Sequence, residues 1–211
     1  MPIPAEFASR SLHHITHIDN LLNIIEHGIL SSNERQRRNI THANIAYSDI
    51  QYRRSTMSVP CGSGGVVHDY VPLYFCKRCP MLYVVNRRIT PQNKIIYFEF
   101  PIQILAEYNS VFTDASANTV LPPNFYIDHS NLANLDWGAI DTLDWGPYCE
   151  PTGEIKKRKQ AEALIYRILP LIFLKKIIVY DRNCKSQVDE ITEEYGINIP
   201  TIISGQRDYY F

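Results

Sequence analysis

A glutamate stands at the head of an apolar segment late in the chain. Glu162 is followed by Ala163, Leu164 and Ile165, and a long irregular stretch precedes it. A carboxylate that enters apolar surroundings costs free energy unless it is paired or used in chemistry, and junctions between loops and strands commonly present site residues. Glu162 is therefore a candidate catalytic carboxylate. The local sequence equally allows a charge that protects an edge strand from aggregation.

Two earlier segments carry residue types that bind nucleotides. Arg53 and Arg54 are adjacent, and each guanidinium offers five donors in a fixed fork that suits phosphate. In the segment His14-Ile15-Thr16, the first and third side chains point to the same side if the segment is a strand. A histidine and a threonine on one side can bind a ribose or an amide edge. The local residues also permit solvated arginines and a surface pair without a ligand.

The cysteines indicate neither a metal site nor a disulfide framework. Cys76 and Cys79 form half a zinc motif, but a structural zinc needs two more ligands at suitable spacing, and the sequence has no second such pair. The five cysteines are an odd number in a chain that is not small, which argues against a disulfide framework. We expect free thiols and no metal.

The composition is that of a folded domain without bulk charge. Hydrophobic residues make up 45%, which excludes a disordered tail. The 21 Lys and Arg against 22 Asp and Glu exclude a protein that holds nucleic acid by overall charge. Positive charge gathers instead within 35–54 and 156–159. No stretch approaches the roughly 18 apolar residues of a membrane span, and the first residues lack a signal pattern, so we expect a cytoplasmic protein without membrane contact.

The patterning predicts one α+β domain over residues 1–211 with a mixed sheet. Strands are predicted at 13–17, 71–74, 95–100, 110–113, 163–169, 177–180 and 197–203. Helices are predicted at about 19–28, 45–53, 101–108 and 186–195. Asp19 or Asn20 could cap the first helix, and Gly28 could end it. Residues 114–159 are predicted to be irregular, with a loop over 141–154.

Together these segments resemble one family. The runs His-Ile-Thr-His-Ile-Asp-Asn-Leu (14–21), His-Asp-Tyr-Val-Pro-Leu-Tyr-Phe-Cys (68–76), Pro-Met-Leu-Tyr (80–83) and Lys-Gln-Ala-Glu (159–162) stand in family order and spacing. They resemble those of DarT-type DNA ADP-ribosyltransferases, the toxins of DarTG toxin–antitoxin systems. The resemblance implies an ADP-ribosyltransferase-like fold, a mixed central β-sheet with short flanking helices. It also implies NAD as co-substrate without a metal, single-stranded DNA as acceptor, and a macrodomain antitoxin of the DarG type as partner.

The resemblance further implies residue roles. Glu162 and Arg54 would be catalytic, the first stabilising the sugar cation and the second either accepting the proton of the base or stabilising its anion. The implied NAD contacts are His14, Ile15, Thr16, Asn23, Ser31, Arg54 and Tyr74. A segment from about 36 to 54 would cover the cofactor, and a loop from about 113 to 162 would recognise the substrate.

Local charge and aromatic rings predict where DNA is held, because cations follow the backbone and rings stack on bases. The candidate DNA contacts are Arg53, Arg87, Arg88, Trp145, Tyr148, Lys156, Lys157 and Arg158. The same reasoning adds Arg37, Arg38 and Lys159 for phosphates and Phe125 and Trp137 for bases.

The expected reaction is transfer of ADP-ribose from NAD to thymine in single-stranded DNA, with guanine as the alternative base. Many family members carry His or Asn shortly after the segment 111–114, where this chain has Ala115-Ser116-Ala117-Asn118. The rival functions are an ADP-ribosyltransferase or NAD glycohydrolase acting on RNA or protein, and a non-catalytic nucleic-acid-binding module. A monomer is expected.

Overall fold

The computed structural model describes residues 2–88, 90–118, 121–146, 148, 151–204 and 208–211, with Arg88 described by its backbone alone. The strands are β1 (Ser11–His17), β2 (Ile29–Leu30), β3 (Tyr70–Tyr74), β4 (Ile95–Pro101), β5 (Ser110–Thr113), β6 (Phe125–Tyr126), β7 (Glu162–Tyr166), β8 (Ile168–Leu169), β9 (Lys176–Val179) and β10 (Thr201–Ile203). The α-helices are α1 (Leu21–His27), α2 (Ser32–Arg37), α3 (Ser48–Thr56), α4 (Pro80–Arg88), α5 (Ile104–Glu107), α6 (Trp137–Asp141), α7 (Glu154–Lys159) and α8 (Arg182–Glu194).

In the described part of the chain, eight strands form one mixed sheet in the order β10-β9-β4-β1-β3-β7-β5-β6. β9 and β10 are parallel, and the other neighbouring strands are antiparallel. β2 and β8 form a separate antiparallel pair. The α+β prediction with a mixed central sheet and short helices is confirmed. Strand β3 lies between β1 and β7 and so brings His14 and Glu162 to the same region of the sheet.

The central strand β4 explains how the sheet is covered. Its residues from Ile95 to Phe100 are all buried, Glu99 included. A strand with both faces covered has an almost continuous apolar sequence rather than an alternating one. β1 pairs with it along its whole length, from Ser11 opposite Pro101 to His17 opposite Ile95. The middle of the sheet is therefore a rigid support for the side chains of β1.

Several predicted boundaries were wrong. The helix predicted at 45–53 begins at Ser48 and ends at Thr56. The strand predicted over 163–169 is broken at Arg167, where φ is +64°, so β7 and β8 belong to different sheets. The last strand starts only at Thr201, because Pro200 has no N–H to donate to a ladder. Residues 114–159 are not wholly irregular, since they include β6, α6 and α7.

The start of the first helix also differs from the prediction. A 3₁₀ turn, Ile18–Asn20, precedes α1, and His17 caps that turn by accepting from the Asp19 N–H at 3.1 Å. Asn20 makes no capping bond, because its amide is engaged elsewhere. The other end is as predicted. Gly28 has φ of +75°, and its N–H donates to the Ile24 carbonyl at 2.9 Å. None of the described helices is long and apolar enough to cross a membrane.

Candidate active site

A cavity of about 390 Å³ lies against β1 and β3 under the segment that joins α2 to α3. Its volume is in the range of small-ligand sites. Among its lining residues are the predicted cofactor contacts His14, Ile15, Thr16, Asn23, Arg54 and Tyr74. Ser31 is placed differently. It is buried, and its hydroxyl accepts from the Glu34 N–H at 3.2 Å at the start of α2, while its neighbours Leu30 and Ser32 line the cavity.

His14 presents a neutral ring to this cavity. Burial lowers its pKa to about 4, against a smaller opposing effect of its hydrogen bond to Pro72. Its Nδ1 lies 2.9 Å from the Pro72 carbonyl oxygen. Because a carbonyl can only accept, Nδ1 must carry the proton, and Nε2 is left as an acceptor. Such a ring suits a donor group such as a ribose hydroxyl.

Asn20 links the wall of the cavity to its cover. Its amide donates to the Thr16 hydroxyl at 2.9 Å and to the Ala43 carbonyl at 3.0 Å, and it accepts from the Ala43 N–H at 2.8 Å. Asn23 adds a bond to the Thr41 carbonyl at 3.0 Å. Thr41 and its neighbours in the segment 40–47 line the cavity. The two asparagines of one helical segment thus hold the cavity cover in place by side-chain bonds to its backbone.

Arg54 lines the cavity and forms a buried ion pair with Glu162, which lies behind it and is not itself a lining residue. The Arg54 Nη1 lies 2.9 Å from both carboxylate oxygens of Glu162, which is completely buried. The Ala117 N–H donates to the same carboxylate at 3.1 Å. Tyr74 is the β3 residue opposite Glu162. Because β7 lies between β3 and β5, the alternative that Glu162 protects an edge strand is wrong.

This arrangement suits chemistry that develops positive charge. A preorganised carboxylate in a site that excludes water stabilises a nascent cation far better than it could in water. Arg54 contacts Glu162 through one nitrogen, so the guanidinium does not use its two-donor fork on this partner. Within the described residues, no group of three or more His, Cys, Asp or Glu could hold a metal ion. Cys61, Cys76, Cys79 and Cys184 are free thiols.

Of the predicted DNA contacts whose side chains the structure describes, one lines the cavity. Lys156 is exposed and lines the cavity, and its Nζ lies 5.8 Å from the centroid of the half-buried Trp145 ring. Tyr148 is completely exposed. Arg53 is exposed on α3, and Arg87 is exposed on α4. Arg88, also a predicted DNA contact, has a side chain outside the described part of the structure.

The remaining basic residues of α7 are partly paired. Lys157 is half-buried and Arg158 is exposed, and each lies 3.9 Å from a carboxylate oxygen of Glu154 one turn earlier. Arg158 also lies 3.3 Å from Asp136. Such exposed pairs are weak, so both side chains can exchange these partners for phosphate.

The other five DNA candidates are already engaged with protein partners. Lys159 is buried, and its ammonium donates to the Ile140 carbonyl at 2.7 Å. Trp137 is half-buried against the core, and its ring is stacked on that of Phe7 at a centroid distance of 5.1 Å. The remaining three are Arg37 and Arg38, which bind Glu34 at 2.7 and 2.8 Å, and Phe125, which is half-buried against a second apolar cluster.

Comparison with known proteins identifies the family. A family model described as "ssDNA thymidine ADP-ribosyltransferase, DarT" matches residues 13–211. A DNA ADP-ribosyl transferase of Thermus sp. (strain 2.9) is 34% identical over 206 residues, 95% of each chain. A fusion of a DNA ADP-ribosyl transferase with a DNA ADP-ribosyl glycohydrolase from Thermosipho africanus is 27% identical over 197 residues, which are 92% of this chain and 48% of the fusion.

Solved structures of the Thermus sp. 2.9 DarT protein have the same fold. The structure in complex with ADP-ribosylated ssDNA superposes with a TM-score of 0.84 at 32% identity, covering 100% of this chain and 99% of that one. The structure in complex with NAD+ superposes with a TM-score of 0.80 at 30% identity, covering 99% of this chain and 100% of that one. Fold and family are therefore as the sequence predicted. The chain belongs to the DarT family of DNA ADP-ribosyltransferases.

Proposed function

We propose that this chain is a DarT toxin that transfers ADP-ribose from NAD to a thymine of single-stranded DNA and releases nicotinamide. The observation that carries the proposal is the buried Arg54–Glu162 pair at the edge of a nucleotide-sized cavity. Membership of the DarT family supports the reaction, and the NAD+ and ADP-ribosylated DNA bound to the Thermus sp. protein support both substrates.

Glu162 would stabilise the sugar as the nicotinamide–ribose bond breaks. That cleavage generates a cation like the one formed in glycoside hydrolysis. A carboxylate fixed by a backbone N–H can accept from a ribose hydroxyl and offset the positive charge as it develops. Tyr74, opposite Glu162 in the sheet, would flank the nicotinamide. His14 and Thr16 would bind polar groups of NAD from the neighbouring strand.

Arg54 would act on the acceptor base. A guanidinium is always protonated in ordinary surroundings and is a poor base, so Arg54 would stabilise the base anion, with direct proton acceptance as the alternative. A rate-versus-pH profile for wild type and Arg54→Lys separates a special guanidinium role from a simple positive charge. If lysine restores full activity with an unchanged profile, the guanidinium role is wrong.

Two segments would complete the site. The segment from about 36 to 54 would cover NAD, supported by the asparagine bonds to Thr41 and Ala43. The loop from about 113 to 162 would recognise the base. In support of this, Ala117 contacts the Glu162 carboxylate, and Asn118 lines the cavity next to it in sequence. Thymine is the proposed base, and guanine is the alternative.

The partner would be a macrodomain antitoxin of the DarG type. The Thermosipho africanus fusion, which joins a DNA ADP-ribosyl transferase to a DNA ADP-ribosyl glycohydrolase, supports a partner that removes the modification. We propose a monomer that acts in the cytoplasm.

The decisive experiment is the intact mass of a short single-stranded oligonucleotide after incubation with protein and NAD. We expect a gain of one ADP-ribose unit when the oligonucleotide contains thymine, and no gain with the Glu162→Gln variant. Oligonucleotides that contain guanine without thymine test the alternative base, and RNA and protein acceptors test the rival enzymes. Nicotinamide release without any acceptor mass gain would replace the proposal by NAD hydrolysis.

A further inference from the structure

Three half-exposed aromatic rings pack together outside the cavity. Trp145 meets Tyr83 edge to face at a centroid distance of 5.5 Å and Phe211 at 6.0 Å. Tyr83 and Phe211 are 5.1 Å apart. All three keep part of their surface exposed to solvent. Partly exposed rings are the groups on which unpaired bases stack in proteins that hold single strands.

Each of these rings carries one cation. The distances from the charged group to the ring centroid are 4.4 Å for Arg87 over Tyr83, 5.8 Å for Lys156 over Trp145 and 4.2 Å for Arg78 over Phe211. We call these six residues the aromatic–cationic strip. Lys156 is the end of the strip that lines the cavity of Arg54. Arg78 is the other end, and it lines a second cleft of about 560 Å³. The strip therefore connects the two depressions.

The second cleft has an excess of positive charge. His13 lines it, whereas His14 lines the first cavity, so the two depressions lie on opposite sides of β1. The cationic lining residues are Arg10, Lys77, Arg78, Lys159, Lys175 and Lys176, and the carboxylates are Glu99, Asp141 and Asp208. Among the described lining residues, six positive charges less three negative charges leave three positive charges uncompensated. Concave surfaces with charge of one sign concentrate ligands of the opposite charge.

Arg78 has no counter-charge among the residues that the structure describes. Arg10 is paired with Asp141 at 2.6 Å, and Lys77 with Asp208 at 3.2 Å, but no hydrogen bond or ion pair involves Arg78 among the described residues. Its Nε is buried without a partner. A donor that is buried without a partner costs free energy, and an anion at Arg78 would satisfy it.

The Arg78 guanidinium is also held in place. The Phe211 ring beneath it belongs to a residue whose backbone N–H donates to the Gln92 side chain at 2.9 Å and whose backbone oxygen accepts from the same amide. Because the ring is fixed, the stacked guanidinium keeps its orientation and loses little freedom when it binds a phosphate.

We propose that the DNA strand flanking the modified base runs along the aromatic–cationic strip, and that Arg78 binds a phosphodiester at the second cleft. This inference depends on the proposed function, because it takes the reacting base to lie in the first cavity. Bases would stack on the exposed surface of Tyr83 and Trp145 while the backbone follows Lys156, Arg87 and Arg78. The strip would lengthen the contact with DNA beyond the reaction centre without reading its sequence.

The test compares the affinity for a long single strand with a central thymine and for a short one that fills only the first cavity. Affinity is measured without NAD by fluorescence anisotropy over a range of salt concentrations. Arg78→Gln removes the free cation, and Asp208→Asn removes a carboxylate of the cleft. Arg182→Gln, exposed on α8 and outside both linings, is the matched control for lost charge.

We expect Arg78→Gln to lower the affinity for the long strand about tenfold, which corresponds to the loss of one charge-assisted hydrogen bond. The slope of log affinity against log salt concentration should become shallower by roughly 0.7. Asp208→Asn should raise the affinity for the long strand. All variants should bind the short strand with the same affinity. Equal affinities for Arg78→Gln and Arg182→Gln would overturn the proposal, as would an equal loss for long and short strands. Failure of the proposed function would appear separately, as no ADP-ribose on any thymine oligonucleotide.

Discussion

A buried carboxylate lies near each end of the strand β7, Glu162 in the strand itself and Glu34 in α2, and the two have very different partners. At its start, Glu162 is contacted by one nitrogen of Arg54 and one backbone N–H. Just past its end, Arg167 donates to Glu34 through Nε and Nη2 at 2.9 and 2.8 Å. Arg37 and Arg38 also donate to Glu34. A carboxylate bound by three arginines ties elements together, whereas Glu162 has a single charged partner, Arg54, which lines the cavity.

The largest effect should come from the more lightly held carboxylate. Glu162→Gln keeps the shape but removes the negative charge, so we expect the rate of ADP-ribose transfer to fall by about 100- to 1000-fold. The matched control is Glu190→Gln on α8, an exposed residue with the same change of atoms. A transfer rate within a few-fold of the control would contradict a catalytic role for Glu162.

The enclosed carboxylate should instead govern stability. Glu34→Gln leaves the arginine cluster without its negative centre. Loss of a buried pair costs about 3–5 kcal/mol, and we expect about 2 kcal/mol here because the arginines are half-exposed. Urea unfolding with an unchanged slope measures this difference. A loss of transfer as large as in Glu162→Gln, with no loss of stability, would erase the distinction between the two ends of β7.

Asn20 tests whether residues that serve the site and residues that serve stability can also be separated away from β7. Asn20→Ala breaks the bonds to Thr16 and Ala43, which should loosen the cavity cover. We expect KM for NAD to rise about tenfold with little change in kcat. The reason is that buried groups left without a hydrogen-bond partner cost about 1–3 kcal/mol of free energy. Asn33→Ala is the control, because the one side-chain bond that Asn33 makes within the described residues goes to Asp69, and Asn33 does not line the cavity. Equal KM values for both variants would show that the bonds of Asn20 to Ala43 are not needed to hold the cavity cover.

The smallest effect concerns pH. The hydrogen bond from Arg38 is the main cause that lowers the pKa of Glu34 below its ordinary 4.5, and it is assisted by Arg167 and opposed by burial. A lowered folded-state pKa gives stability that is complete above the unfolded-state pKa and is lost as the pH falls through the folded one. The stability difference between wild type and Glu34→Gln should therefore be constant above pH 4.5 and shrink below it. A difference that grows on acidification would reverse the sign of this linkage.

The sequence predicted Glu162 from local pattern, but not its partner. A charge before an apolar run is visible within a few residues, whereas Arg54 is 108 positions away, its local pattern indicated only phosphate binding, and its catalytic role was implied by family resemblance. Tertiary contacts also defeated local patterns elsewhere. Lys159 belongs to a basic run typical of solvated surface, yet the chain turns there into a buried strand and takes the aliphatic stem with it. Asn20 has the sequence context of a helix cap, while its bonds go to a distant segment.

The strand β1 has a consequence for the length of this chain in evolution. His14 and Thr16 line one cavity while Ser11 and His13 line the cleft on the other side. Inserting or deleting one residue within Ser11–His17 would turn the later side chains of this strand to the opposite face of the sheet. We therefore expect homologues to preserve the residue count of β1, and variation in length to collect in the connections outside the central sheet.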